Sequence, residues 1–306
     1  MILFILWICA APYAGAQVEF LSQPNALRIV VDSKDFATYV FRDAHIPRPF
    51  FQSLKTLQGV PITRNHPPVE GIDLTDHADF HPGLWMAFGD LDGEDFWRNK
   101  SRIDHAGFIS PHRSEEGYGT FCVLNDYKTD DRLVCQEECS IRISSDREGV
   151  YILWDSVFYS PNQSFSFGDQ EEMGLGIRMA TPLIVNKGGT ILNQQGHRNE
   201  KEVWGVQSPW CAYYKRNLDD SMVGAIVIAS PDNFRPSWFH ARDYGLLVVN
   251  PFGRQAFTGR EKSNLTIQAG ERFSLRFGVY VFQATGTTPD FFESKYRFFT
   301  GQISKR

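Results

Sequence analysis

A chain of 306 residues with 42% apolar content has enough hydrophobic side chains for a full core and lies on the upper side of one domain. Its 31 Lys and Arg against 36 Asp and Glu give a formal net charge of −5 with His neutral, and no basic stripe stands out, so nucleic acid is excluded as an expected partner. After the N-terminus no stretch approaches the ~18–20 consecutive apolar residues of a transmembrane helix, so no membrane span is expected.

The chain opens on an apolar run, Ile2-Leu3-Phe4-Ile5-Leu6-Trp7-Ile8, too short to cross a bilayer and followed by Ala14-Gly15-Ala16, a small-x-small cleavage site. A signal peptide over residues 1–16 is therefore expected, with a mature chain from Gln17 and a secreted or periplasmic location. Against this, no Lys or Arg precedes Arg28. Leu6-Trp7-Ile8-Cys9 offers a lipoprotein alternative with Trp and Ile where small residues are wanted, and an N-terminal strand is a further alternative.

Residues 17–306 show no repeat, low-complexity tract or linker and are expected to form one domain. Short runs rich in Val, Ile, Phe, Tyr and Thr, broken by Gly, Asp, Asn and Pro, predict strands over Ala26–Asp32, Phe36–Phe41, Phe121–Asp126, Leu133–Ser144, Val150–Tyr159, Leu175–Ala180, Val223–Ala229, Gly245–Val249, Leu265–Gln268 and Phe273–Phe282. Asp130-Asp131 marks a hairpin tip, and Ala269-Gly270-Glu271 separates the last pair. Ser274–Val281 alternates as a half-exposed strand should. Helical signal is confined to the C-terminal end, where Thr288 can cap, Pro289 suits the first helical position, and Phe291, Phe292, Lys295, Tyr296 and Phe299 recur at helical spacing. Many short strands and one short C-terminal helix predict an all-β chain, a large sandwich or barrel.

Once Cys9 leaves with the leader, Cys122, Cys135, Cys139 and Cys211 remain. An even count in an exported chain permits two disulfides. Cys135 and Cys139 are too far apart along an extended strand to bond each other, about 13 Å. A Cys122–Cys139 or Cys122–Cys135 bridge across a hairpin and free buried thiols both stay open.

Chemistry-bearing residues concentrate in four stretches: Asp76-His77-Ala78-Asp79-Phe80-His81-Pro82-Gly83-Leu84-Trp85 running on to Trp97 and His105; Phe167 to Arg178; Asn199 to Trp210; and Trp238 to Gly253. With Arg48-Pro49-Phe50-Phe51 and Thr63-Arg64-Asn65-His66-Pro67-Pro68, they resemble the exported bacterial family labelled "methane oxygenase PmoA", over nearly the whole mature chain. The resemblance implies a β-supersandwich similar to the galactose-mutarotase-like fold. It does not imply methane chemistry, because a particulate methane monooxygenase subunit is membrane-embedded. Fold by itself assigns no function.

The residues suggest acid–base work. His77, His81, His105 and His240 can exchange a proton near neutral pH, and Asp76, Glu172, Glu200 and Asp243 supply carboxylates. The expected catalytic set is His77, His81, Glu172, Glu200, His240 and Asp243. The expected substrate-binding set is Arg178 and Arg242 as planar forks, Trp204 and Trp210 as flat walls, and Asn250. Trp85 and Trp238 offer further walls. Plainer readings stand beside these: His77 and His81 bonded to loop backbone, Glu172 and Glu200 as solvated turn or surface residues, Trp210 and Trp238 as core. No cofactor is expected. The metal alternative is His77, His81 and His105, although Pro82-Gly83 makes a loop, not a helix, of the His77–His81 spacing. No Gly-x-Ser-x-Gly elbow supports nucleophilic catalysis.

Three functions follow. The first is a carbohydrate-active enzyme of epimerase, lyase or hydrolase type acting on a sugar or sugar acid. The second is a non-catalytic carbohydrate-binding or interaction module. The third is a metal-dependent, oxidative enzyme using His ligands. In each, the partner is a small molecule or glycan.

Overall fold

The computed structural model describes residues 17–285 and 290–303, so the expected leader lies outside the described residues. The strands are, in chain order, β1 (Val18–Gln23), β2 (Ala26–Val31), β3 (Lys34–Val40), β4 (Phe50–Gln52), β5 (Leu84–Phe88), β6 (Arg102–Glu115), β7 (Tyr118–Lys128), β8 (Leu133–Ser145), β9 (Gly149–Tyr159), β10 (Phe165–Phe167), β11 (Met173–Arg178), β12 (Gly189–Asn193), β13 (Val206–Gln207), β14 (Trp210–Arg216), β15 (Met222–Ala229), β16 (Trp238–Arg242), β17 (Leu246–Asn250), β18 (Leu265–Ile267) and β19 (Arg272–Ala284). Three α-helices accompany them: α1 (Asn199–Val203), α2 (Arg254–Thr258) and α3 (Phe291–Ile303).

A nine-stranded sheet in the order β1-β2-β3-β4-β5-β11-β17-β16-β13 packs on an eight-stranded sheet in the order β12-β14-β15-β19-β9-β8-β7-β6, with β10 and β18 forming a separate pair. All the ladders are antiparallel. The chain is thus an all-β sandwich with one C-terminal helix, as its pattern of short strands predicts. Rings cross between the sheets. Phe88 of β5 meets Phe158 and Tyr127 of the second sheet at 5.4 and 6.0 Å, and Phe51 meets Trp154 at 5.7 Å.

Each strand predicted from sequence forms, within a few residues of its expected ends. The β7–β8 hairpin turns where expected, closed by Thr129 N–H donating to the Arg132 carbonyl at 3.0 Å. Three of the strands that the pattern did not predict show why they were missed. β5 and β14 are short and almost wholly buried, so they show no alternation to read. β6 is long, mostly polar and exposed, and its register with β7 shifts three times.

One expectation needs correction. Alternation in β19 suggested half exposure, yet the run from Phe277 to Phe282 is buried throughout. The reason is α3, whose Phe291, Phe292, Phe299 and Ile303 join Tyr280 and Phe282 in a second apolar cluster on the outer face of the sheet. Thr288 and Pro289, expected at the start of this helix, lie outside the described residues. Of the two alternatives left open for the cysteines, the structure has the free thiols: Cys122, Cys135, Cys139 and Cys211 are all unbridged. Register explains it for the hairpin. Cys122 pairs with Ser140 and Cys139 with Val123, so the two cysteines are one residue out of phase and point to opposite faces. Cys135 sits opposite Tyr127, several residues further along the ladder.

Candidate functional site on the outer face of the larger sheet

Because Phe88 faces the second sheet, residues one step out of phase with it face away. Register aligns Trp85, Gly176, Val248 and His240 in one row across β5, β11, β17 and β16, and Arg178, Leu246 and Arg242 in the next. Arg178, His240 and Arg242, far apart in sequence, thereby share one surface. Gly176 leaves room for two indoles: a Cβ there would stand 2.7 Å from Trp97 and 3.0 Å from Trp85.

Over this face lies the turn formed by residues 76–80, and His77 takes a left-handed φ of 51° within it. It is not a helix, in keeping with the Pro82-Gly83 that follows. Asp76 ties the turn to the sheet. One carboxylate oxygen accepts from His77 Nδ1 at 2.7 Å and the other from Arg178 at 2.7 Å, while Arg64 donates to the Asp76 carbonyl at 2.7 Å. Partial burial opposes ionisation of Asp76, but His77 and Arg178 outweigh it and hold its pKa below the usual 3.8. The His77 side chain is 41% exposed, and its Nε2 has no hydrogen-bond partner among the described residues. Its ring stacks on Tyr244 at 5.9 Å, and the Arg178 guanidinium lies 4.5 Å from the same ring. Burial pushes the Tyr244 hydroxyl up to about 12.

His81 stands on the other side of His77, with ring centroids 4.9 Å apart, and stacks on Trp85 at 5.1 Å. It is 1% exposed, and burial together with the Arg178 charge keeps it neutral, well below the usual 6.5. Its Nε2 accepts from the Trp97 indole at 3.4 Å and lies 3.9 Å from the Glu172 carboxylate. Glu172 is itself mostly buried. Desolvation raises its pKa above the usual 4.5 although Arg98 pairs with it. Arg98 is steadied in turn by Asp95 at 3.2 Å and Gln170 at 3.1 Å.

On β16, both His240 nitrogens are engaged. Nδ1 donates to the Glu171 carbonyl at 3.2 Å, and Nε2 accepts from Arg242 Nε at 2.8 Å, which defines the neutral tautomer. Burial lowers its pKa to about 4. Arg242 also donates to Glu200 at 2.8 Å and lies 3.5 Å from Glu171. Glu200 and Asp243 clasp each other. Asp243 N–H donates to the Glu200 carboxylate at 3.0 Å, and Glu200 N–H to the Asp243 carboxylate at 2.8 Å. Partial burial works against the Glu200 carboxylate, yet the Asp243 N–H and Arg242 hold its pKa below 4.5. Half-buried Trp204 stands 6.0 Å from the Arg242 guanidinium.

Of the residues singled out from sequence, His77, His81, Glu172, Arg178, Glu200, Trp204, His240, Arg242 and Asp243 meet on this face or its covering loops. Three do not serve as expected. Trp210 belongs to the cluster beneath α3, with its ring 5.5 Å from Phe292 and its Nε1 on Glu293 at 3.1 Å, because β14 lies in the other sheet. Asn250 is fully buried and saturated. It donates to the carbonyls of Gln170 and Glu171 and accepts from the N–H groups of Phe252 and Gly253, so it fastens two loops. His105, the third histidine of the metal alternative, is packed in the second sheet between Phe41 at 4.7 Å and Phe108 at 5.1 Å. No three His, Cys, Asp or Glu side chains are grouped to hold a metal among the described residues.

Sequence reasoning passed over Arg64, Arg98, Glu171 and Tyr244. Their signal was position: each lies within or beside one of the motif stretches, and only three-dimensional proximity distinguishes them from neighbouring loop residues.

Among the described residues, no helix is long and apolar enough to cross a membrane. No curated protein matches the chain. The structure is similar to that of a galactose mutarotase-like protein from Lactobacillus casei ATCC 334, with a TM-score of 0.42 and 11% identity, covering 87% of this chain and 100% of that one. It is also similar to a galactose mutarotase-like protein from Clostridium acetobutylicum, with a TM-score of 0.34 and 9% identity, covering 89% and 99%. A candidate kojibiose phosphorylase from human microbiome gives a TM-score of 0.37 at 8% identity over 94% of this chain, which spans only 33% of that one. At the level of sequence, residues 26–291 match the family of unknown function DUF6807, and the chain belongs to that family.

Proposed function

We propose that the protein is an exported carbohydrate-active enzyme that performs acid–base chemistry, of epimerase, lyase or hydrolase type, on a sugar or sugar acid. One observation carries this reading. An accessible imidazole, His77, is aimed by Asp76, and His81 alone separates it from a mostly buried carboxyl, Glu172, whose pKa is raised. An accessible, carboxylate-oriented imidazole and a desolvated carboxyl of raised proton affinity on one face suit a proton-transfer reaction at a sugar carbon or ring oxygen. His77 Nε2 gives or takes the proton and Glu172 is its complement. Half-buried Trp204 offers an apolar wall for the C–H face of a ring, and the partly exposed Arg242 meets its hydroxyls or carboxylate, while buried Arg178 holds Asp76 and, through it, His77 in place.

The buried histidines act through others. His240 fixes Arg242, and His81 spaces His77 from Glu172. That two histidines are spent internally also favours the second reading, a carbohydrate-binding module without chemistry. The two are separated by following anomer exchange and product formation by NMR with a panel of aldoses, uronic acids and their oligosaccharides. With a turned-over substrate, Glu172→Gln and His77→Asn each lower kcat by about 10²–10⁴. Rates within twofold of the parent in both variants would remove the assignment. Binding without product in the parent protein would establish the binding-module reading instead.

A further inference from the structure

One strand position along from His240, the same outer face carries a second recess that the acid–base chemistry does not use. Trp238 pairs with Asn250 across β16–β17 and is in phase with His240, so both project from this face. Trp238, Gln207, Arg235, Arg254, Thr258 and Arg260 line a cavity of about 370 Å³. Phe257 of α2 stands between it and the His240 side of the face, with its ring 6.3 Å from Trp238, 6.4 Å from His240 and 5.3 Å from Trp204.

The charge of this recess is one-sided. Three of its six lining residues are arginines and none is acidic. Of the nearby carboxylates, Asp169 is committed to backbone and Glu261 pairs with Arg254 from the solvent side. Both oxygens of Asp169 accept backbone N–H groups of Gln255, Ala256 and Ser263. Glu261 reaches only Arg254, at 3.3 Å, and its side chain is 87% exposed. Arg235 is held over the Trp238 ring at 5.9 Å and donates to Ser263 at 2.9 Å, leaving Nη2 and Nε without a hydrogen-bond partner among the described residues. Arg254 is anchored to the Glu261 and Lys262 carbonyls. Burial and the charge of Arg254 both disfavour the cationic form of Arg235, a strain that a bound anion would relieve. Two positioned guanidinium groups, a third at the rim and an indole wall suit a planar or tetrahedral oxyanion attached to an apolar-faced ring.

We propose that this recess is an oxyanion subsite that receives the carboxylate or sulfate ester of an acidic saccharide. The oxyanion contact stands by itself. Its extension to a saccharide rests on the function proposed above, with the neighbouring sugar ring lying in the His77–Glu172 cleft.

The test is isothermal titration of the full chain at low ionic strength with inorganic sulfate, a galacturonate disaccharide and the corresponding neutral galactose disaccharide. Sulfate and the galacturonate disaccharide are expected to compete with each other. Both should bind about fivefold or more weakly to Arg260→Glu and to Arg235→Gln, whereas the neutral disaccharide should be unchanged by either substitution. Arg260 is exposed and its side chain makes no hydrogen bond among the described residues, so its replacement should leave folding intact and keep the comparison interpretable if Arg235→Gln unfolds. Glu172→Gln should abolish turnover and leave sulfate affinity untouched, so failure of the catalytic reading is distinguishable from failure of the subsite. Sulfate binding alone, with no preference for the acidic disaccharide over the neutral one, would confine the site to free anions and overturn the saccharide assignment. No measurable sulfate or galacturonate binding, or affinities within twofold in Arg260→Glu, would overturn the subsite altogether.

Discussion

Gly176 governs how closely Trp85 and Trp97 approach β11, and with them the floor on which His81 rests. Adding a single methyl group there places a Cβ against both indoles, so Gly176→Ala should lower stability by about 1–3 kcal/mol, read as a reduced denaturant midpoint at unchanged slope. A midpoint equal to that of the parent would mean the rings yield freely. His240 makes a different kind of contribution. Its folded-state pKa of about 4 lies below the usual 6.5, so acid protonates the unfolded chain first. The stability it contributes is complete above about pH 6.5, fades as pH falls toward 4, and is flat below that. The loss is on the order of 2–3 kcal/mol across this window. His105, whose pKa is likewise lowered by burial to about 4, adds to the same slope. Measuring unfolding free energy from pH 7 to pH 4 in the parent and in His240→Gln should show a shallower fall in the variant, and parallel curves would assign the slope elsewhere.

At the scale of elements, α3 is the piece most dependent on its contacts. Thirteen residues are marginal as an isolated helix in water. It holds because Phe291, Phe292, Lys295, Phe299 and Ile303 are buried on one side, and because Lys295 pairs with Asp146 at 2.7 Å and Glu148 at 2.6 Å beyond the far edge of the helix. Phe299 is fully buried over Gly278. Phe299→Ala should therefore cost about 3–5 kcal/mol and raise binding of a hydrophobic dye to the uncovered face of β19. A loss under 1 kcal/mol would show that the helix does not brace the sheet. The helix was legible from the spacing of its aromatics. That it would cover β19 was not, since alternation in a strand records what the chain provides and not what another element later buries. Short α1 left no such trace. It is held by the mutual hydrogen bonds of Glu200 and Asp243, residues that read in sequence as site carboxylates.

For the molecule as a whole, the absence of cross-links among the four described cysteines puts the full load of stability on the two-sheet core. Cys135, Cys139 and Cys211 are buried, and burial lifts all three thiols well above their ordinary range, so a thiol reagent should modify them only on unfolding. A reductant should leave the melting temperature unchanged. A drop of several degrees, or fewer than four titratable thiols in denaturant for residues 17–306, would reveal a bridge. The same two-sheet arrangement builds the candidate site. β5, β11 and the β16–β17 hairpin become neighbours only through long connections, and their outward rows then bring Arg178, His240 and Arg242 side by side.

Composition and local pattern settled the all-β class, most strands, the C-terminal helix and the stretches in which the site residues lie, because period-two alternation, turn residues and helical spacing are properties of neighbours along the chain. Which histidine is accessible, which is locked between two partners, why Asn250 is consumed by two loops, why Trp210 lies in the other sheet and why the cysteines stay unpaired were decided by register, sheet order and the packing of loops. These depend on pairings between residues distant in sequence, and a shift of one position in a strand carries a side chain to the opposite face.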